Sequence, residues 1–401
     1  MTAVPAMAAG LPLPRAASST STRRLAFSIL NFLAITNFVQ FAMAQNSFVH
    51  AVYYPNWHAY KGKTPAKMEL GLVTHVIYSF MAVNTNGALE TTDNHADRVL
   101  DVDGSKGGLA ALAKVKADNP GLKTLFSVGG ANNSKEFPAM AANAEARTRF
   151  AREVKIFADE HNFNGVDIDW EHPKNEEQGK NYIALLEAVR KEMPQDKYQL
   201  TSALPPAKWA LKYFDVKRAA AALDYMNLMC YDLTGPWTEV SGNHAQLFAS
   251  STLASKDATL RLSCADGVEY LTANGFPSRK IVMGIPAYAR NFPASKGPGQ
   301  STAGSGEIDY GSLPQKYIDK AVIDDTAIAA SYVDETDGFV TFDTPRTVTL
   351  KANYAKMKNL GGLFYWTGSG DRSGRDSLIK AGWNSMSTKV SHSTKNVGLR
   401  S

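Results

Sequence analysis

Eight short strand-like runs recur along this chain, at 49–54, 73–80, 123–128, 165–171, 198–204, 224–231, 280–285 and 362–366, and helix-compatible stretches follow most of them. Parallel strands need a crossover long enough to hold a helix, so the alternation predicts βαβ units and a parallel sheet. Eight units in one chain point to the α/β class and a closed (β/α)8 barrel, the TIM barrel. Its usual size suits residues 45–386, with room for an insertion. An open doubly wound sheet is the alternative. Against it, no G-x-G-x-x-G turn follows any of the runs.

The fourth run carries the chemistry. In Gly165-Val166-Asp167-Ile168-Asp169-Trp170-Glu171 three carboxylates alternate with apolar residues. A strand sends successive side chains to opposite faces, so the acids share one face at roughly 6.5–7 Å spacing. An alternating strand is ordinarily a half-buried strand with its polar side in water. Here helical stretches flank it, at 145–160 and 176–193. In a closed barrel its acids would point inward, where unpaired charge is costly. A row of carboxylates raises the pKa of at least one member, which makes a proton donor near neutral pH.

The formal net charge of +5 comes from the termini. Arg15, Arg23 and Arg24 lie in residues 1–44, and Lys389, Lys395 and Arg400 in 387–401, with no acid in either stretch. The body between is close to neutral, which gives no electrostatic case for nucleic-acid binding. Arg23-Arg24 precede an apolar run from Leu25 that ends in Ala42-Met43-Ala44. That order predicts a secretory signal over 1–44, cleaved after Ala44, and a secreted, extracellular protein without a membrane anchor. An uncleaved anchor is the rival reading, but Asn31, Thr36, Asn37 and Gln40 interrupt the run. Residues 387–401, rich in Ser, Thr and Lys, are expected to form a disordered tail.

Residues 291–343 are too long for a simple connection and contain strand-like runs at 329–333 and 338–342. They predict a small α+β lobe between strand 7 and helix 7. It ends at Thr344-Pro345, an N-cap followed by proline at the first helical position. Cys230 falls in a strand and Cys264 in a helix. They could pair if those elements pack, but two buried free thiols are the reading adopted. Asn132-Asn133-Ser134 is an N-glycosylation sequon. No cluster of His, Cys, Asp and Glu has metal-ligand spacing, so neither metal nor cofactor is expected.

In a (β/α)8 barrel the site lies at the carboxyl ends of the strands. Those ends are rich in aromatic and polar residues: Tyr53, Tyr54 and Trp57 at the first, Phe80 at the second, Gly129 and Gly130 at the third. Met229, Tyr231, Asp232 and Trp237 lie at the sixth, Tyr288 and Arg290 at the seventh, and Trp366 at the eighth with Asp371 beyond. Singly, each aromatic suits a core. Gathered at one rim beside carboxylates, they suit the faces of sugar rings.

These motifs resemble those of glycoside hydrolase family 18, the chitinases. Asp167-Ile168-Asp169-Trp170-Glu171 is similar to the DxxDxDxE signature, Ser127-Val128-Gly129-Gly130 to SxGG, and Met229-Cys230-Tyr231-Asp232 to MxYD. Gly361-Gly362-Leu363-Phe364-Tyr365-Trp366 matches the last strand, and the lobe resembles the insertion of subfamily A. The resemblance covers nearly all of residues 48–383.

The resemblance implies a monomeric endo-chitinase that takes chitin and chito-oligosaccharides with retention. Glu171 would be the general acid and then the base. Asp169 would orient the substrate N-acetyl group, Asp167 would share a proton with Asp169, and Tyr231 would hold the acetamide as it attacks the anomeric carbon. Trp366 would form the floor, with Met229, Asp232, Tyr288 and Arg290 around it and Tyr53, Trp57, Phe80 and Trp237 extending the cleft. Gly129 and Gly130 would allow close approach of the backbone. Four positions depart from the pattern: Asn164 for aspartate, Ala131 for tryptophan, His172 for tyrosine and Ala289 for glycine. None removes a catalytic group. Lectins of this fold usually lose the glutamate, which is present here. The lobe counts against a glycan-cleaving endo-β-N-acetylglucosaminidase.

Overall fold

A computed structural model describes residues 48–255 and 257–388. The predicted signal and nearly all of the predicted tail lie outside the described residues. Eight parallel strands form the centre: β1 (Val49–Pro55), β2 (His75–Val83), β3 (Lys123–Gly129), β4 (Gly165–Asp169), β5 (Gln199–Leu204), β6 (Tyr225–Leu228), β7 (Ile281–Pro286) and β8 (Gly362–Trp366). Each pairs with the next, and β8 pairs with β1 in register Val49↔Gly362. The sheet is therefore a closed barrel, and the open-sheet alternative falls.

Alternation along the strands divides the core. Val49, Ala51, Tyr53, Ile77, Leu125, Val282 and Phe364 form an inner cluster. Val52, Tyr54, Val76, Tyr78, Phe126, Val166 and Ile168 join the helices in an outer one. The helix Ala144–Glu160 shows why its sequence folds so. Asn143 caps it by accepting the Glu145 and Ala146 N–H groups, and Phe150, Val154 and Phe157 turn its apolar stripe inward. Burying each such side chain contributes about 1.5–3 kcal/mol.

The fourth and sixth strands are shorter than predicted. β4 stops at Asp169, and Trp170, on the outward face with Val166 and Ile168, stacks on Phe137 at 5.5 Å and meets Tyr182. β6 stops at Leu228, and Asp232 takes a left-handed backbone conformation with φ of 57°. Glu171 and the pair Tyr231-Asp232 thus lie just beyond strand ends, on the rim. A short antiparallel strand, Leu89–Thr91, also pairs with β2 and was not foreseen.

The lobe is a five-stranded antiparallel sheet of Tyr288–Phe292, Gly306–Asp309, Val322–Asp324, Ala329–Asp334 and Gly338–Phe342, with a short helix Gln315–Asp319. Tyr288 and Arg290 belong to it, not to β7, since they pair with Asp309 and Glu307 across an antiparallel ladder. The helix after the lobe, Pro345–Met357, starts as predicted. Thr344 caps it through the Thr347 N–H, and proline occupies the first turn.

The free-thiol reading is wrong. Cys230 and Cys264 form a disulfide. The segment after β6 and the helix Cys264–Ala273 pack with the two Cα atoms 5.0 Å apart, within bridging range. Asp371 also proves structural. It accepts hydrogen bonds from Ser377 Oγ and the Leu378 and Ile379 N–H groups at the start of the last helix. Among the described residues no helix is long and apolar enough to cross a membrane.

Candidate active site

Asp167 lies inside the barrel as the centre of a four-strand junction. It accepts hydrogen bonds from Tyr53 OH of β1 (3.0 Å), Ser127 Oγ of β3 (2.7 Å), Thr201 Oγ1 of β5 (2.6 Å) and Asn227 Nδ2 of β6 (3.3 Å). Burial raises its pKa, and these donors pull back toward the charged form. Ser127, Thr201 and Asn227 were not singled out as site residues. Each occupies an inward position of a strand already identified, so the period-two pattern held the signal.

Asp169, the next inward residue, is also buried, yet its Oδ1 has no hydrogen-bond partner among the described residues. Burial, then the charges of Glu171 and Asp167, raise its pKa well above the ordinary carboxylate value. No direct hydrogen bond joins Asp167 and Asp169 among the described residues, so here their expected sharing of a proton is a coupling of charges. Glu171 follows beyond the strand end. Burial, then the negative charge of Asp232, push its carboxyl up to about 7.

Asp232 stands at the junction of barrel and lobe. Arg290 reaches it through Nε (2.9 Å) and Nη2 (2.8 Å), and Tyr288 OH donates at 2.8 Å. His244 Nδ1 lies 3.8 Å away, too far for a hydrogen bond. Burial works against the Asp232 charge, yet the Arg290 guanidinium and the Tyr288 hydroxyl hold its carboxyl below the usual value. Tyr231 packs edge-on against Tyr288 and Phe364. Burial, then the surrounding acids, keep its hydroxyl protonated far above neutral pH.

Aromatic rings line the rim beside the acids. Trp366 stacks on Phe80 at 5.6 Å and lies 5.6 Å from Tyr53 and 6.4 Å from Trp57. Met229 packs in the same cluster as Trp366. Across from it, the Arg290 guanidinium sits over the Trp237 ring at 5.2 Å. Trp57 and Trp237 remain 41% and 59% exposed, so both offer ring faces to a ligand. Two exposed aromatics were missed. Tyr60 stacks on His95, and Trp209 meets His172 at 5.1 Å. Both sit in short segments just past a strand end, where aromatic character was the available signal.

Gly129 and Gly130 serve approach of the backbone. Both have positive φ, and a Cβ would strike the Asp169 carbonyl at the first and the Phe80 ring at the second. The departure at Asn164 is structural, because its Oδ1 accepts the Thr124 N–H at 3.0 Å and an aspartate would do the same. Ala131 is exposed and Ala289 is fully buried.

The sequence pattern of glycosyl hydrolases family 18 matches residues 49–371. The chain is similar to "Chitinase 1" of Aphanocladium album, 33% identical over 359 residues, covering 83% of this chain and 84% of that one. It is 33% identical over 366 residues to "Endochitinase 1" of Metarhizium robertsii, covering 84% and 85%. Among solved structures, chitinase ChiA74 from Bacillus thuringiensis matches with a TM-score of 0.77 at 25% identity, covering 85% of this chain and 70% of that one. Barrel, lobe and rim acids agree with that likeness over most of the length, and the chain belongs to the glycosyl hydrolases of family 18, among the chitinases.

Proposed function

We propose that this hydrolase cuts β-1,4-linked N-acetylglucosamine polymers from within, by substrate-assisted retaining catalysis. The observation that carries the reading is a half-buried carboxyl, Glu171, raised to about 7 at the end of the strand that holds the buried Asp169, whose Oδ1 has no hydrogen-bond partner among the described residues. Glu171 donates its proton to the glycosidic oxygen. The substrate's own acetamide attacks the anomeric carbon, oriented by Asp169 and Tyr231, so no enzyme carboxylate is needed as nucleophile. This route is a recognised exception to the two-carboxylate scheme. The deprotonated Glu171 then activates water, and the anomeric configuration is retained. Trp57, Phe80, Trp237 and Trp366 bind the sugar faces.

Internal cleavage is supported by the name of the Metarhizium robertsii relative, an endochitinase. Secretion is supported by the N-terminal pattern of 1–44 and by the Cys230–Cys264 disulfide, which belongs to an oxidising compartment. Monomeric action is expected, because the acids and aromatics of the cleft all come from one chain.

The test is hydrolysis of chito-oligosaccharides by the wild type and Glu171→Gln, with the anomer of the first product read by NMR. Turnover that yields the β-anomer, and is lost in the variant while chitin binding persists, supports the reading. An α-anomer as first product would sink the retaining mechanism. Full turnover by Glu171→Gln would remove Glu171 from its role.

A further inference from the structure

The sequon serine has a second use. β3 and β4 run side by side with Gly129 opposite Asp169, and the Gly130 N–H donates to the Asp169 carbonyl at 2.8 Å. There the ladder ends, and the Glu171 N–H has no neighbouring strand to meet. Ser134 takes that place. Its Oγ accepts the Glu171 N–H at 2.9 Å and lies 2.9 Å from the Gly130 carbonyl and 3.2 Å from the Asp169 carbonyl, to either of which it donates.

The hydroxyl is built in. Ser134 is only 7% exposed, while Asn132 of the same sequon faces solvent. The turn that presents it is closed by Asn133, whose Nδ2 donates to the Gly129 carbonyl at 3.0 Å and whose N–H donates to the Gly130 carbonyl at 3.1 Å. The Glu171 carboxyl has no hydrogen bond of its own among the described residues, so no side-chain hydrogen bond fixes its place and the position of its backbone matters the more. A buried serine that merely satisfies backbone groups would be an ordinary sight. This one is bonded to the next backbone N–H on the β3 side after the ladder ends, at the residue whose reach to the scissile oxygen decides proton transfer.

We propose that Ser134 is a positioning residue. Its hydroxyl prolongs the β3–β4 ladder by one step and fixes the backbone at Glu171, so that the carboxyl meets the glycosidic oxygen. This rests on the reading of Glu171 as the acid. A proton donor matters for a sugar alcohol leaving group and hardly at all for dinitrophenolate, which departs unprotonated. Misplacing the donor should therefore damage one substrate and spare the other.

The experiment compares kcat/KM for chitotetraose and for dinitrophenyl chitobioside in the wild type, Ser134→Ala, Ser134→Thr, Asn132→Gln and Glu171→Gln. Ser134→Ala should lose about tenfold or more on chitotetraose and under about threefold on the dinitrophenyl substrate. Ser134→Thr keeps both the hydroxyl and the sequon and should recover most of the loss. Asn132→Gln removes only the glycan acceptor and should change neither substrate. Glu171→Gln should show the same selective loss, more strongly.

If Glu171→Gln shows the selective loss but Ser134→Ala loses equally on both substrates or on neither, Ser134 is structural and the proposal falls alone. If Glu171→Gln keeps full chitotetraose turnover, the reading of Glu171 fails and takes the proposal with it. Should Ser134→Ala fail to fold, Ser134→Cys, with a weaker partner of similar shape, is read by the same two substrates.

Discussion

Asp167 and Asp169 stand two residues apart on one face of β4, yet among the described residues Asp167 takes four hydrogen bonds and Asp169 Oδ1 takes none. Four donors favour a charged Asp167. Burial and flanking charges favour a neutral Asp169. The two titrate together, and the first proton goes to Asp169. A neutral Asp169 does not repel Glu171 and so does not itself keep that carboxyl protonated. Burial and the charge of Asp232 do that instead.

A pH profile follows from this arrangement. The acid form of Glu171 is lost as pH rises through about 7, so activity should fall there. Asp232→Asn removes a negative charge and leaves the Arg290 cation unpaired by it. Both changes favour ionised Glu171, so the alkaline limb should move to lower pH. Asp169→Asn removes little charge near neutrality and should leave the limb in place while kcat drops about a hundredfold. Profiles of kcat/KM against pH for the three proteins check this. A limb that moves in Asp169→Asn and stays in Asp232→Asn would reverse the assignment.

The proposed role of Trp237 is to bind a sugar face through its exposed ring. It is exposed and is stacked by Arg290, which Asp232 holds in turn. Trp237→Ala should raise KM for chitotetraose about tenfold, the equivalent of roughly 1.4 kcal/mol. Its kcat should stay within about threefold. Steady-state kinetics with oligomers of increasing length measures both. A fall in kcat at unchanged KM would mean that the ring positions Arg290 and Asp232 rather than sugar.

The eight barrel strands and the three acids were legible because their signals are local. Period-two alternation around Asp167 and Asp169 needs only neighbouring residues. The four-donor cage of Asp167 was not legible as a cage, because Tyr53, Ser127, Thr201 and Asn227 come from four separate strands. Their convergence depends on barrel closure and register. Arg290 and Tyr288 were singled out as candidate site residues but assigned to the wrong sheet, since a strand's partner does not show in its own composition. Ser134 was visible only as the end of a sequon, and its bond to Glu171 depends on where two strands stop.

The disulfide was missed for the same reason. Cys230 and Cys264 are 34 residues apart, and sequence separation says nothing of their meeting in space. Closing that loop should contribute about 4 kcal/mol to stability. Cys264→Ser should lower the guanidinium midpoint accordingly, and wild type under reductant should fall to the same midpoint. Thiol labelling of the unfolded chain should find no free cysteine before reduction. Two reactive thiols in untreated protein would disprove the bridge.

The buried pair Lys351–Asp343 ties the end of the lobe to the barrel. Lys351 Nζ donates to Asp343 Oδ2 at 2.6 Å, to Oδ1 at 2.8 Å and to the Ala245 carbonyl at 2.6 Å, and both side chains are 1% exposed. Thr347 Oγ1 adds a further bond to Asp343. Removing one partner leaves the other charge buried and unpaired, which costs about 3–5 kcal/mol. Lys351→Met should therefore destabilise the fold by that amount in chemical denaturation. Lys351→Met combined with Asp343→Asn should recover part of it, because an amide needs no counter-charge and still accepts from Thr347. If the double variant is as unstable as the single one, the loss comes from the Ala245 carbonyl or from packing, and the charge argument fails.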